Sequence, residues 1–285
     1  MYKRQFDPTD PDAVLFGSAT KREVQHVLAF SLTSDKAPVE RVKLRETEGL
    51  DVDANDAPTR MATTSANGKV LLTISTSGLG RTFDVATGAP LGERITPARG
   101  VRFLCGAVFS DGNRIVLGDS SGAVSIFYFQ GGKWKPGPTR QPGTGEIRAV
   151  AIHPNDRRIL SGSGTQLSGE WVLWNTDQLT KIKENGTALP VTAVAFSPGD
   201  GSVFVTGHGT LLTGEVRAWD TTTGVQISRG AMRHQAEVNA VAFSGDGRFL
   251  ATASQDRAAR VFDCETWQSI GQPLWHGRDV RAVAF

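Results

Sequence analysis

Small and large apolar residues alternate with polar ones in short runs along most of the chain, and clusters of Gly, Asp, Asn and Ser cut the runs apart. Period two bounded by turn residues is the pattern of half-buried β-strands. In residues 238–263 it predicts a strand over Val238–Phe243, a turn at Ser244–Gly247, a second strand over Phe249–Ser254, a tight turn at Gln255–Arg257 and a third strand over Ala259–Phe262. The Ser-x-Asp/Asn-Gly turn recurs at Ser65–Gly68, at Ser197–Gly201 and, shortened, at Ser110–Gly112. Asp or Asn with Gly supplies the left-handed backbone that a tight reversal needs.

The pattern repeats at a fixed period. Ile147–Ile152, Val191–Phe196, Val238–Phe243 and Val280–Phe285 share one phrase, and their ends are 44, 47 and 42 residues apart. A second marker, an aromatic followed by a small polar residue, stands at Phe83-Asp84, Trp174-Asn175, Trp219-Asp220 and Phe262-Asp263, with Phe127-Tyr128 in the same slot. These aromatics step by 44, 47, 45 and 43 residues. Two unrelated markers holding one period define a repeat, and no unit contains a helical stretch. A four-stranded unit of this length cannot cover both faces of its own sheet; radial stacking covers them.

The expected fold is therefore all-β: a β-propeller of four-stranded antiparallel blades, with six recognisable blades plus the first strand of another. The expected blades span about 1–50, 58–95, 99–138, 144–184, 189–230 and 236–274, with a partial one at 276–285, in a single domain over 1–285. In the first blade, Val14–Ala19, Glu23–Phe30 and Val39–Arg45 read as its second to fourth strands, and acidic residues 46–57 as a surface loop. Both Tyr2–Phe6 and 280–285 fit its innermost strand. Two claimants for one place point to a piece of a longer propeller.

These residues resemble the WD-repeat family over nearly the whole chain. The family's Trp-Asp ending stands at Trp219-Asp220, with weakened forms at Phe83-Asp84, Trp174-Asn175 and Phe262-Asp263. Its opening Gly-His is reduced to Arg233-His234 and to His276, and Asp84–Gly92 and Ile270–Leu274 look like bacterial members. The resemblance implies a buried hydrogen-bond chain of His, Ser/Thr, Asp and Trp within a blade. It maps onto His234, Ser254, Asp256 and position 262, where Phe262 lacks the indole donor. Trp174 and Trp219 fill the aromatic slot in blades four and five. Blade five has no His near Pro190 and no Asp in its second turn, so apolar packing is expected to replace the network in most blades.

Composition narrows the function. There are 31 Lys and Arg against 29 Asp and Glu, a net charge of +2, without the basic stripe of a nucleic-acid binder. No apolar run approaches the roughly 18 residues of a membrane span, and no secretory signal is visible, so a cytoplasmic protein is expected. No Gly-x-Ser-x-Gly elbow precedes a helix; Ser161–Gly164 is turn material. His26, His153, His208, His234 and His276 are scattered, and Cys105 and Cys264 lie far apart. No catalytic residue, cofactor or metal is predicted.

Two features remain. Ser163–Glu170 and His208–Glu215 share one plan, whose plainer reading is a lengthened hairpin and whose alternative is a paired lip presenting Leu167, Leu212, Glu170, Glu215 and His208. The residue four before each unit's terminal apolar marker begins the innermost strand at the channel mouth. This gives Arg60, Cys105, Arg148, Thr192, Asn239 and Arg281, with Glu146, Glu237 and Asp279 two places earlier. The resemblance implies that these slots, together with Gln255, contact partner proteins. Mixed charge favours a polar peptide or protein over a bare polyanion; the plainer reading is that the charges pair across the rim or stay solvated. The expected function is a non-catalytic protein-protein interaction scaffold binding a protein or peptide on its loop face. The alternatives are a sensor or targeting domain of a larger bacterial enzyme such as a Ser/Thr protein kinase, or a hydrolase or dehydrogenase propeller.

Overall fold

The computed structural model describes the backbone of strands Ala13–Thr20, Glu23–Ser31 and Val39–Val42 and, apart from residues 58, 144, 229 and 231, the chain from 57 to 285. Described strands fall into six antiparallel sheets, five of four strands and one of three. From the second sheet onward, the innermost strands Thr59–Thr64, Phe103–Val108, Glu146–Ile152, Val191–Phe196, Val238–Phe243 and Ala282–Ala284 each touch the next. The fold is a β-propeller.

The final strand is not the start of another blade. Ala282–Ala284 joins the first sheet as its innermost strand, with Leu15 opposite Ala284, Phe16 opposite Val283 and Gly17 opposite Ala282. Tyr2–Phe6 and most of the acidic 46–57 stretch lie outside the described residues. Blade two has three strands, Thr59–Thr64, Val70–Ser75 and Gly80–Asp84, where four were expected. Its fourth is reduced to bridges Gly80–Ile95 and Phe83–Pro90, because Gly88, Pro90 and Gly92 interrupt the run. Trp134, from blade three, covers this edge: its indole N–H donates to Thr82 Oγ1 at 2.7 Å and to the Leu91 carbonyl at 3.1 Å.

Second strands are buried on both faces. In Arg158–Gly164, Ile159 packs with Phe109, Ile126 and Trp174, while its neighbour Leu160 packs with Trp171, Phe204 and Trp219. Close approach between blades demands glycine at one repeating place. A Cβ on Gly118 would lie 2.3 Å from Ile147 Cγ2, and one on Gly162 would lie 2.4 Å from Val191 Cγ1. In blades two, five and six the aromatic-Asp marker ends the third strand in a side-chain-closed turn. Asp84, Asp220 and Asp263 accept the N–H of Thr87, Thr223 and Thr266 at 2.8, 2.6 and 2.8 Å. These bonds hold all three carboxyls below their ordinary pKa.

One register differs from expectation. Ser65, Phe109, His153, Ser197 and Ser244 each donate their N–H across the first turn, to the carbonyls of Val70, Arg114, Arg158, Val203 and Phe249. Phe109 therefore occupies the turn slot, not the end of the inner strand. Every position read back from it in blade three moves by one residue.

Candidate functional site

All five inner strands from blade two to blade six bulge within their first three residues. Pairing jumps from Thr59 to Met61, Phe103 to Cys105, Ile147 to Ala149, Val191 to Ala193 and Val238 to Ala240. The skipped residues are Arg60, Leu104, Arg148, Thr192 and Asn239, at one end of the inner strands. A bulge re-aims the extra side chain. Arg60, Arg148, Thr192 and Asn239 thus hold equivalent places, and exposed Arg281 directly precedes the closing strand. Cys105 does not belong with them. It is buried, its thiol lies 3.4 Å from the Ile147 carbonyl, and burial pushes its pKa up to about 12. Buried Leu104 takes the slot.

Part of this rim is spent on internal contacts. Thr192 Oγ1 donates to the Val238 carbonyl at 2.7 Å, and Asn239 Nδ2 donates to the Val280 carbonyl at 2.7 Å. Each reaches the inner strand of the next blade. Gln255 Nε2 donates to Asn239 Oδ1 at 3.4 Å. Arg148 Nη1 lies 3.8 Å from Glu237 Oε2, bridging blades four and six. Burial raises the Glu237 pKa, and Arg148 opposes that shift. This half-exposed pair is worth under about 1 kcal/mol. Glu146 and Asp279 are half-buried. Arg60 and Arg281 are exposed and form no ion pair among the described residues.

Behind the rim, polar chains run through blades four, five and six. The Trp174 indole donates to Ser161 Oγ at 2.8 Å. In blade five the Trp219 indole donates to Thr206 Oγ1 at 2.8 Å, and that hydroxyl meets His208 Nε2 at 2.7 Å. Burial, aided by the Arg217 charge, lowers the His208 pKa to about 4, so the ring stays neutral. His208 is therefore core and not part of the lip. It stands in for the missing histidine near Pro190, and the network expected to be lost from this blade is kept.

In blade six the hydroxyl facing His234 is that of Thr252, at 2.8 Å from Nε2, and not that of Ser254. Ser254 Oγ instead donates to the Ala236 carbonyl and accepts the Asp256 N–H. Asp256 lies 3.1 Å from His234 Nδ1 and accepts from the Gln235 N–H at 3.0 Å and from Arg260 Nη1 at 2.8 Å. Burial alone would raise the Asp256 pKa; these partners outweigh it and hold the carboxyl far below its usual range. Phe262 is buried among Val205, Val216 and Leu250. Ser161, Thr206 and Thr252 share one place, two residues beyond the partner of the blade's aromatic in the ladder. That offset is the signal that locates them.

The two lengthened hairpins belong to the rim face. Gly164 and Gly169 abut Pro190, and Gly209 and Gly214 abut the Ala236–Glu237 link that opens the next blade. Their tips hold Leu167 and Leu212 at 87% and 88% exposure, with Leu211 beside them. Glu215 is held by Arg217 at 2.6 Å, while burial and then Glu184 raise the Glu170 pKa. Among the described residues, no group of three or more His, Cys, Asp or Glu could hold a metal ion, and no helix is long and apolar enough to cross a membrane.

Stacked antiparallel blades tied by Trp–hydroxyl and His–Asp contacts define a β-propeller. The "WD domain, G-beta repeat" family model matches residues 229–263, the stretch containing His234, Thr252, Asp256 and Phe262. Residues 229–263 thus match a WD repeat, and the divergent repeats around them resemble it. It is 29% identical over 179 residues to pre-mRNA-processing factor 19 homolog 2 of Arabidopsis thaliana, covering 61% of this chain and 32% of that protein. It is 26% identical over 172 residues to a guanine nucleotide-binding protein subunit beta of Oryza sativa subsp. japonica, covering 56% and 44%. Similarity to eukaryotic translation initiation factor 3 subunit I of Drosophila pseudoobscura pseudoobscura is 30% over 90 residues, covering 32% and 26%. The matches thus span less than half the length of these relatives.

Proposed function

We propose that the protein is a non-catalytic docking platform whose bulge-bearing face binds a protein or peptide partner. The observation that carries this reading is the gathering of exposed apolar and charged side chains at that one face: Leu167, Leu211 and Leu212 on neighbouring hairpins, Arg60 and Arg281 at the inner strands. The sheets beneath are cross-linked between blades, so the surface is preformed and loses little entropy on association. Two of the relatives are, by name, subunits of larger assemblies, which supports the reading.

The test is selection of peptides from a random displayed library on the immobilised protein. Selected peptides should lose affinity on Arg60→Glu and Leu212→Asp and keep it on Lys69→Glu and Arg157→Glu, which lie at the turns of the opposite end. Selection of no peptide, or equal sensitivity at both ends, overturns the reading.

A further inference from the structure

On the same face, the sector belonging to blade six carries cations that its acids do not neutralise. The His276 N–H donates to the Arg257 carbonyl at 2.8 Å and the Val280 N–H to the Ser254 carbonyl at 3.0 Å, so the 276–280 link folds across the Gln255–Arg257 turn. That arrangement brings Arg257, Arg278 and Arg281 to one arc. All three are exposed, and none forms an ion pair among the described residues. The acids nearby are committed: Asp256 is 1% exposed and holds His234 and Arg260, and Glu237 faces Arg148. Among the described residues, half-buried Asp279 remains.

Arg257 stands at φ 66°, where blades two and three carry Gly78 and Gly122 at φ 84° and 86°. A long cationic side chain is therefore retained at a place whose backbone favours glycine. At the outer end of the arc, Trp275 pairs with Ala258 across the last two strands and is 62% exposed. An exposed indole offers large contact area at small entropic cost, and such residues dominate binding surfaces.

We infer that this arc binds an acidic segment of a partner protein that carries apolar side chains. Carboxylates meet Arg257, Arg278 and Arg281 while an apolar group covers Trp275. The inference rests on the docking reading above and specifies the chemistry of the partner. Three arginines and one indole, in a chain of net charge +2, fall short of the stripe along which a nucleic-acid backbone runs.

The probe is a fluorescein-labelled peptide repeating Glu-Glu-Leu-Phe, followed by fluorescence anisotropy. Repeats of Lys-Lys-Leu-Phe and Glu-Glu-Ser-Ser serve as charge and apolar controls, and oligouridylate represents nucleic acid. The acidic-apolar peptide should bind most tightly and weaken with salt. Arg278→Glu with Arg281→Glu, and separately Trp275→Ala, should each lower affinity about tenfold or more. The melting temperature should be unchanged, because the three side chains are exposed. Binding indifferent to these variants overturns the inference, as does tighter binding of oligouridylate. If library-selected peptides bind but the acidic peptide does not, this inference falls and the docking reading stands; if neither binds, both fall.

Discussion

Replacing His208 by Gln isolates what a buried neutral imidazole does to stability. In the folded protein, burial and Arg217 hold the ring neutral down to a pKa of about 4, whereas in the unfolded chain it titrates near 6.5. The unfolded state therefore binds a proton first as the pH falls, and stability is lost between about 6.5 and 4; above that window neither state is protonated. Between pH 7.5 and 5.0 the loss works out at about 2 kcal/mol, since each unit of separation is worth ~1.4 kcal/mol. Gln keeps a polar group to face Thr206 and removes the proton site. Urea unfolding at the two pH values should show the wild-type chain losing about 2 kcal/mol more than His208→Gln. His153, His234 and His276, lowered in the same direction, contribute equally to both proteins. Equal pH dependence, or an imidazole NMR signal titrating near 6.5 in the folded protein, would refute the argument.

Asp256→Ala strands His234 and Arg260 without their anion and should cost about 3–5 kcal/mol by denaturant unfolding; adding Arg260→Leu should recover part of it. The Asp256 carboxyl is held low, so the wild-type advantage over Asp256→Asn should be full above about pH 4 and shrink as the pH falls further. Gly214→Ala should be more disruptive than a surface change, because its Cβ would sit 1.9 Å from the Ala236 carbonyl oxygen; a loss above ~2 kcal/mol is expected from backbone displacement. Burial pushes both thiols up to about 12. An aromatic disulfide reagent at pH 8 should therefore label Cys105 and Cys264 slowly in the folded protein and rapidly in urea.

Alternation of apolar and polar residues marked the second and third strands well, since both faces of those strands are decided by neighbours one period away. Blade three slipped because Phe109 is aromatic at a turn slot that Ser or His fills in its sister blades. Apolarity marks burial there, and only the N–H bond across the turn shows the register. Thr252 and Ser254 could not be told apart because residues two apart face the same way. The outer strand of the preceding blade, which carries His234, decides between them. His208 reads as a lip residue in sequence because the expected histidine comes from the link before the inner strand, and the one found comes from the second strand. Exposed leucines at the hairpin tips were legible, since chain reversals place tip residues in solvent. The Arg148–Glu237 pair was not, because it joins blades that are not consecutive.

The side chains that latch one blade to a carbonyl of the next all point the same way. The donors Cys105, Thr192 and Asn239 each wait for an acceptor 42, 46 and 41 residues later in the chain, at Ile147, Val238 and Val280. A blade therefore cannot complete its own fastening without the repeat that follows it. Loss of any one repeat would thus leave the repeat before it unfastened.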